Sequence, residues 1–299
     1  MFKNSEKKYM ESNNFKIIKA LPIWRDGAKI KTLDGGITNR NYLLSNKEKQ
    51  YVVRIGNDIP EHLIFRRNEQ VSSKAAYQIG ISPKVIHSGK GVLVLDYIKS
   101  KTLSDSDVRN KMDRIIDLIK NFHQNMQKQL IGAPVIFWVF HVIRHYSKFL
   151  ISHESNHSSK ISYLLECCNY LEEVSSPHYI VYGHNDLLAA NFLDDGKKIW
   201  LIDWEYAGYN DPLFDLGGLA SNNNFQEKQE ISMLEKYFES KVDNKTIKRY
   251  QAMKTSSLLR ETMWSMVSEI SSKIDFDYSE YTQENLTKFE KSFKSLKAL

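Results

Sequence analysis

A carboxylate and a carboxamide stand close together in a polar segment that runs from Gly183 to Asn191. In this segment Asn191 follows Asp186 by five positions, and Asp203 comes later, directly after a short apolar run. Phosphoryl transfer needs a base near the acceptor hydroxyl, Mg²⁺ on the phosphates and donors that hold the triphosphate. Carboxylate and amide oxygens are the ligands that Mg²⁺ prefers. The pattern therefore predicts Asn191 and Asp203 as Mg²⁺ ligands and leaves one carboxylate as a base.

Two short strands are predicted to hold this polar segment. The runs Tyr179–Tyr182 and Lys198–Ile202 are rich in β-branched and aromatic residues and lie on either side of it. Elsewhere in this part of the chain the apolar residues recur at three- and four-residue spacing, which indicates helices. The helices are predicted over residues 108–122, Gln226–Tyr237, Lys245–Glu269 and Tyr281–Lys297.

The first third of the chain has the pattern of an antiparallel sheet with one helix inserted. The helix, Glu61–Ile79, ends at Gly80, a usual residue after a helix C-terminus. We therefore expect an α+β protein with two lobes, in which residues 1–97 form a sheet lobe and residues 98–299 a larger, mostly helical lobe. The predicted strands are Ala28–Leu33, Asn41–Leu44, Tyr51–Ile55, Lys84–His87 and Gly91–Tyr97.

A glycine pair lies between the first two predicted strands. Gly35 and Gly36 stand in the run Leu33–Tyr42, where glycines let backbone N–H groups approach phosphates closely. A glycine pair between two strands is also typical of an ordinary hairpin turn. The polar segment later in the chain favours the phosphate-binding interpretation, because a triphosphate needs such donors.

The polar segment resembles the catalytic and metal-binding loops of a known superfamily. His184-x-Asp186 with Asn191, followed by Ile202-Asp203-Trp204-Glu205-Tyr206, is similar to the choline/ethanolamine kinases and aminoglycoside phosphotransferases. The resemblance implies a bilobal, protein-kinase-like fold that uses ATP and Mg²⁺. It also implies that Asp186 is the catalytic base, that Asn191 and Asp203 bind the metal, with Glu205 as a further candidate, and that His184 props the loop.

The same resemblance assigns nucleotide-binding residues in the first lobe. The glycine run looks like the nucleotide loop of choline kinases, Arg54 stands where a phosphate-binding basic residue is expected, and Glu69 matches its acidic partner. The segment from Asp96 to Ile98 is expected to form the hinge whose backbone binds adenine. The residues expected to bind ATP are Gly35, Gly36, Thr38, Asn39, Arg54, Glu69, Asp96, Tyr97 and Ile98.

The acceptor substrate is expected to lie against the second lobe. The run Arg260–Val267 resembles the choline kinase helix that carries substrate-binding tryptophan, here Trp264, although the second tryptophan of that helix is replaced by Glu261. Core packing is an equally good interpretation of Trp264. Asp215 is expected to steady the catalytic loop. The candidate substrate residues are Asp186, Tyr206, Tyr209, Asp211, Glu261 and Trp264.

The leading functional hypothesis is a choline kinase that produces phosphocholine and ADP. Alternatives with the same chemistry are an aminoglycoside, ethanolamine or thiamine phosphotransferase. Another class of function is a catalytically inactive kinase fold that acts as a binding module. That hypothesis would require the loss of a catalytic or metal-binding residue, and Asp186, Asn191 and Asp203 are all present.

Composition limits the possible partners and locations. The chain has 299 residues and a net charge of +6, but its lysines alternate with acidic residues, so a nucleic-acid partner is not expected. The apolar run Ala133–Phe140 is too short to cross a membrane. The only cysteines, Cys167 and Cys168, are adjacent, which fits a reducing cytoplasm. The expected partners are ATP and a small amino alcohol, and the oligomeric state is left open.

Overall fold

A computed structural model describes residues 12–24, 28–33, 39–46 and 49–299, and the chain divides into two compact units. The first unit comprises Met1–Asp58 and Pro83–Lys99. The second comprises Ile59–Ser82 and Ser100–Leu299.

The first unit is built on a five-stranded antiparallel sheet, as predicted. The strands are ordered β1-β2-β3-β5-β4, and each pairs with its neighbour in antiparallel register. Their bounds are β1 Lys29–Leu33, β2 Arg40–Asn46, β3 Lys49–Ile55, β4 Val85–Gly89 and β5 Val92–Asp96.

One face of this sheet and a helical stretch over residues 12–19, α1, form the core of the first unit. Tyr42, Val53 and Val94 lie opposite one another on β2, β3 and β5, and all are buried. Ile18 of α1 is fully buried in the same cluster. Alternating buried positions on the strands thus produce a half-buried sheet.

The helix after β3 packs with the second unit, whereas the sequence placed it in the first lobe. This helix, α2 (Arg66–Gln78), follows a short 3-10 turn over Pro60–His62 and ends before Gly80, whose φ is +76°. Its Asn68 Nδ2 donates to the carbonyl of Ala207 at 2.7 Å, and its Ser72 hydroxyl is 2.8 Å from the Tyr182 hydroxyl. These contacts reach residues more than 100 positions away in the chain, so local patterning did not reveal them.

The second unit is mostly helical and carries two small sheets. Strand β7 pairs with β10, and a three-stranded sheet has the order β6-β8-β9. The strands are β6 Lys101–Thr102, β7 Val181–Gly183, β8 Phe192–Asp194, β9 Ile199–Leu201 and β10 Gly208–Asn210. The helices are α3 Asp105–Asn110, α4 Met112–Asn125, α5 Val139–Ser152, α6 Ile161–Val174, α7 Pro212–Asn222, α8 Glu227–Phe238, α9 Asn244–Ser271 and α10 Tyr278–Lys297.

The long helix α9 is the centre of the second unit. It begins at the N-cap Asp243, whose carboxylate accepts from Thr246 N, and it packs against α5, α6, α7 and α10. Because neighbours cover it on several sides, it buries residues around most of its circumference. At Gly217 of α7, an added Cβ would lie 2.6 Å from the Cα of Lys254. Glycine therefore permits a close helix approach there.

Helices α5, α6 and α7 and strands β8 and β10 were not predicted. The strands have three residues each and depend on partners elsewhere, as when Gly208–Asn210 pairs with Val181–Gly183. Such short segments lack a period of their own. Among the described helices, none has the length and apolar character needed to cross a membrane.

Candidate active site

The predicted catalytic segment leaves strand β7 and turns back into strand β8. Asn185 adopts a left-handed backbone, with φ of +66°, which asparagine tolerates better than most residues. Its amide Nδ2 donates to the carbonyls of Tyr206 at 3.0 Å and Gly208 at 3.2 Å. A short 3-10 turn, Ala189–Asn191, completes the loop. The loop is therefore fixed on both sides of Asp186.

Asp215 of α7 braces the beginning of the loop, as the resemblance implied. Its carboxylate accepts from His184 N at 2.8 Å and from Asn185 N at 2.7 Å, and it also contacts His123 Nε2 at 3.0 Å. Burial alone would raise the pKa of Asp215, but the hydrogen bond and charge of His123 outweigh it and hold that pKa below its usual range. An added Cβ at Gly183 would lie 3.0 Å from the Asp215 carboxylate. Glycine thus lets this carboxylate approach the loop backbone.

His184 lies beneath the loop as a neutral buried ring. Its Nε2 is 2.9 Å from the carbonyl of Ile202, so this nitrogen carries the proton and donates. Burial lowers the pKa of the imidazole. The ring also contacts Trp204 edge-on at 4.7 Å between centroids. These contacts connect the catalytic loop to the segment that carries Asp203, which supports the predicted propping role.

Asp186 is the partly exposed carboxylate of the loop. Its side chain retains 17% exposure, and its Oδ1 lies 4.0 Å from Nη1 of Arg260. Burial raises the pKa of Asp186 to about 8; Arg260 opposes this change, while Glu261 and Asp203 add to it. The carboxylate is therefore positioned beside one cation and several acids.

The predicted metal ligands are brought together by backbone pairing. Ile202 N donates to the carbonyl of Asn191 at 3.0 Å, which sets Asp203 next to the end of the loop. Asn191 Nδ2 donates to the carbonyl of Asp186 at 2.9 Å, so its amide oxygen is the atom left to bind a cation. No cluster of three or more His, Cys, Asp or Glu in the described residues forms a metal site alone. Two oxygen ligands fit Mg²⁺, which keeps phosphate oxygens and waters as its other ligands.

Glu205 is engaged in a buried ion cluster. Arg66 Nη1 contacts Glu69 Oε2 at 2.8 Å and Glu205 Oε2 at 2.9 Å, and all three side chains are buried. Glu69 was predicted to orient Arg54, and the structure places its carboxylate on Arg66. The predicted roles of Glu69 and Glu205 toward nucleotide and metal stay predictions.

An acidic and aromatic cluster surrounds Asp186 in the second unit. Glu261 Oε2 accepts from Arg260 Nη1 at 2.8 Å, and its Oε1 accepts from the Tyr281 hydroxyl at 2.9 Å. The Arg260 guanidinium lies 4.4 Å from the ring centroid of Tyr206. We call these residues, with Trp264, the acceptor cluster: Asp186, Tyr206, Arg260, Glu261, Trp264 and Tyr281.

Trp264 is almost fully buried in this cluster. Its indole Nε1 donates to the Tyr206 hydroxyl at 2.9 Å, and its ring lies 5.1 Å from that of His62. The cluster members that keep partial exposure are Asp186, Glu261 and Tyr281. A ligand would reach these three first, while Trp264 holds Tyr206 in place. Direct contact between Trp264 and a substrate stays a prediction.

Two other predicted substrate residues have structural partners. Asp211 is 1% exposed, caps α7 by accepting from Leu213 N at 2.9 Å, and lies 3.6 Å from Arg249 Nη2. Tyr209 packs edge-on against Tyr182, with the ring centroids 5.3 Å apart. Their predicted roles toward substrate gain no support from these contacts and stay predictions.

The nucleotide-binding predictions concern the first unit. Gly35, Gly36 and Thr38 lie outside the described residues. Asn39 is buried at the start of β2, and Arg54 on β3 is buried with its Nε 3.4 Å from Asn41 Oδ1. At the end of β5, Asp96 N and Tyr97 N donate to the carbonyls of Lys84 and Gln50, and Ile98 follows outside any strand or helix. The predicted roles of these residues toward ATP stay predictions.

Sequence reasoning missed three residues of the site: Arg66, Arg260 and Tyr281. Arg260 and Trp264 stand four positions apart on a predicted helix, so they share a face, and this spacing was an available signal. Tyr281 belongs to a different helix, α10, and Arg66 meets Glu205 across 139 positions of sequence. No local pattern indicates such pairings.

An open cavity of about 500 Å³ lies between α5 and α6, away from the predicted chemistry. None of the residues that line it belongs to the acceptor cluster. They are Arg144, Ser147, Lys148, Ile151, Ser152, Leu165 and Asn169.

Comparison with known proteins agrees with this geometry. The family model described as choline/ethanolamine kinase matches residues 30–250. Protein LicA of Haemophilus influenzae is 26% identical over 275 residues, which cover 89% of this chain and 79% of that protein.

Solved structures confirm the predicted α+β, protein-kinase-like fold. A choline/ethanolamine kinase family protein from Mesorhizobium loti has a TM-score of 0.76 and 26% identity, covering 95% of this chain and 94% of that one. Choline kinase LicA from Streptococcus pneumoniae has a TM-score of 0.76 and 24% identity, covering 96% and 99%. Because the family model spans well over half of the sequence and includes the whole catalytic loop, the chain belongs to the choline/ethanolamine kinase family.

Proposed function

We propose that the chain transfers the γ-phosphoryl group of ATP to the hydroxyl of a small amino alcohol, with choline as the leading acceptor. One observation carries this proposal: the carboxylate of Asp186, on a braced loop, borders a cluster of aromatic rings and a second carboxylate. Family membership and the name choline kinase, which the Streptococcus structure carries, support the same reaction.

Each part of the site has a role in this reaction. Asp186 accepts or orients the proton of the acceptor hydroxyl, which makes the oxygen a better nucleophile. Asn191 and Asp203 would hold Mg²⁺, which offsets negative charge on the phosphates when it is bound. His184 and Asp215 would keep the loop in place, because Asp215 accepts from the backbone at its beginning and His184 donates to the carbonyl of Ile202.

The acceptor cluster suits a positively charged head group. A quaternary ammonium has no N–H, so a carboxylate such as Glu261 attracts it only as a charge. An aromatic ring such as that of Tyr281 can pack against its methyl groups and also attract the cation, with a contribution of about 0.5 to 2 kcal/mol per contact. The exposed rim of the cluster contains both kinds of group.

The test is ADP release measured with Mg²⁺, ATP and a panel of acceptors. The panel contains choline, ethanolamine, thiamine and a kanamycin-like aminoglycoside. We expect kcat/KM to be highest for choline. Efficient phosphorylation of the aminoglycoside with little turnover of choline would reject choline as the acceptor, while the assignment as a kinase would stand. If none of the acceptors on the panel increases ADP release, the assignment of an amino-alcohol acceptor is rejected.

We also infer a cytoplasmic location. ATP is the phosphoryl donor, and Cys167 and Cys168 are free, buried thiols in the second unit, as expected in a reducing compartment. Fractionation of the source cells, with activity measured in each fraction, tests this inference.

A further inference from the structure

Arg260 brings a positive charge into the cluster that would receive a positively charged substrate. The side chain is only 5% exposed, and its Nη1 lies 2.8 Å from Glu261 and 4.0 Å from Asp186. A guanidinium stays protonated at any pH at which the protein is folded. The charge next to the catalytic carboxylate is therefore permanent.

Packing keeps this guanidinium from moving away. Its carbon Cζ lies 4.4 Å from the centroid of Tyr206 and 5.8 Å from that of Phe137. The Tyr206 hydroxyl in turn accepts from Trp264 Nε1 at 2.9 Å. Arg260 Nε and Nη2 are buried, and the buried Tyr146 hydroxyl also interacts with the guanidinium. The rings thus hold Arg260 by stacking, and only Nη1 faces the two carboxylates.

The charge count of the cluster follows from this arrangement. Asp186 and Glu261 contribute at most two negative charges, and Arg260 subtracts one of them. Within the acceptor cluster at most one net negative charge then remains to attract an acceptor. Asp203 and Glu205 also act on Asp186, but Asp203 is assigned to the proposed metal site and Glu205 is paired with Arg66. A substrate with one ammonium group matches it, whereas a second ammonium group would meet a fixed cation in a site with little water to screen the repulsion.

The geometry points to Arg260 as a specificity-determining and positioning residue that limits the acceptor to a single positive charge. This inference rests on the proposed transfer to an amino alcohol and deepens it. Arg260 does not touch the reacting atoms in this scheme. It acts by holding Asp186 and Glu261 on one guanidinium and by setting the charge of the site.

The test compares choline with diaminopropanol, an amino alcohol with two ammonium groups, in Arg260→Gln and wild type. Glutamine can still hydrogen-bond to Glu261 but removes the charge. We expect the ratio of kcat/KM for diaminopropanol to that for choline to rise at least about tenfold, which corresponds to about 1.4 kcal/mol. Calorimetry without ATP should show the same preference: relative to choline, diaminopropanol should bind more tightly to Arg260→Gln than to wild type. An unchanged ratio in a folded variant would overturn the inference.

Two further variants separate charge from packing. Arg260→Lys keeps the charge and loses the planar stacking on Tyr206, so kcat should fall while the ratio stays within about threefold of wild type. Glu261→Gln removes a negative charge, so the ratio should fall; this variant carries the test if Arg260→Gln does not fold. A folded Glu261→Gln variant with the wild-type ratio would also contradict the inference.

Arg144→Gln is the matched control for the arginine-to-glutamine change. Arg144 lies on α5, is 37% exposed and pairs with Glu172, so its loss should leave the ratio unchanged. If wild type phosphorylates neither acceptor, the proposed function fails. If wild type phosphorylates choline and Arg260→Gln shows no change in ratio, only the role of Arg260 fails.

Discussion

Burial and the positive charge of Arg260 have opposite effects on the pKa of Asp186. Removal from water favours the neutral acid, whereas the nearby guanidinium of Arg260 favours the carboxylate. A base must be ionised before it can accept a proton, so the partner cation and the bound metal matter as much as the carboxylate. The backbone contacts of the loop with Asp215 orient Asp186. Arg260 of the acceptor cluster provides the positive charge that favours the ionised form of this carboxylate.

Replacement of Asp186 tests its part in the chemical step. Asp186→Asn keeps the shape of the side chain and removes the base, so kcat should fall at least about a hundredfold. The dissociation constant of ADP in the presence of Mg²⁺, measured by calorimetry, should stay within a few fold of wild type. Near-normal turnover in a folded variant would show that another group takes the proton.

Replacement of Asp203 tests the metal site. Its backbone has a φ of +68°, so Asp203→Asn is preferable to alanine, because asparagine tolerates this conformation. Loss of the carboxylate leaves two neutral amide oxygens as protein ligands. We expect Mg²⁺-dependent ADP binding to weaken at least about tenfold by calorimetry.

Asp243→Asn is the control for this change. Asp243 caps α9 through Thr246 N, and asparagine caps a helix equally well. If ADP binding depends on Mg²⁺ equally in wild type and in Asp203→Asn, Asp203 is not a ligand of the metal.

Among the elements, the contact between α7 and α9 connects the catalytic loop to the acceptor cluster. Helix α7 carries Asp215, which braces the loop, and α9 carries Arg260 and Glu261. Their separation is set where Gly217 meets the backbone of Lys254. A change of spacing at this point therefore affects both halves of the site.

Two neighbouring glycines of α7 give a matched pair of variants. A Cβ at position 217 would lie 2.6 Å from Lys254 Cα, so Gly217→Ala should force the helices apart and reduce the free energy of unfolding by about 1 to 3 kcal/mol. At Gly218 the nearest atom is Ser257 Oγ at 3.4 Å, and alanine favours a helix over glycine by about 1 kcal/mol. Gly218→Ala should therefore be neutral or stabilising. Equal destabilisation of the two variants in urea unfolding would contradict this account of the contact.

At the scale of the whole molecule, the second unit combines a large apolar core with buried polar side chains. His62 is one of them: it is 4% exposed, lies 3.1 Å from the Ser268 hydroxyl and packs against Trp264. Burial, aided by the charges of Arg260 and His145, lowers the pKa of His62 from its usual 6.5 to about 3. The folded state therefore takes up this proton much less readily than the unfolded state does.

This difference predicts a loss of stability in acid. Between pH 6.5 and about 3 the unfolded chain binds a proton at His62 that the folded chain does not, so the free energy of unfolding falls as the pH falls. The slope from this group approaches about 1.4 kcal/mol per pH unit. His62→Gln should remove it, so wild type should lose about 2 kcal/mol more than the variant between pH 7 and pH 5 in urea unfolding.

His153→Gln, at an exposed histidine, is the control and should alter the pH dependence much less. If the free energy of unfolding changes with pH in the same way for wild type and His62→Gln, the lowered pKa of His62 is not the cause of the acid sensitivity.

The sequence by itself determined the elements with a clear period and the chemistry that lies close together along the chain. The sheet of the first unit was predicted from short segments rich in β-branched and aromatic residues, and α9 was predicted to within a few residues. Asp186, Asn191 and Asp203 were predicted as site residues because phosphoryl transfer needs those groups. The first two lie on one loop, and Asp203 follows strand β9. The contact of His184 with Ile202 then agreed with the expected prop.

Only the tertiary structure decided which distant residues meet. The contacts of Arg260 with Asp186, of Tyr281 with Glu261 and of Arg66 with Glu205 join different elements. The packing of α2 with the second unit has the same origin. Such contacts depend on how helices and strands pack, and one chain carries no local signal for them, since a buried charge is specified by its partner in space. The charge of the acceptor cluster is therefore a property of the folded second unit.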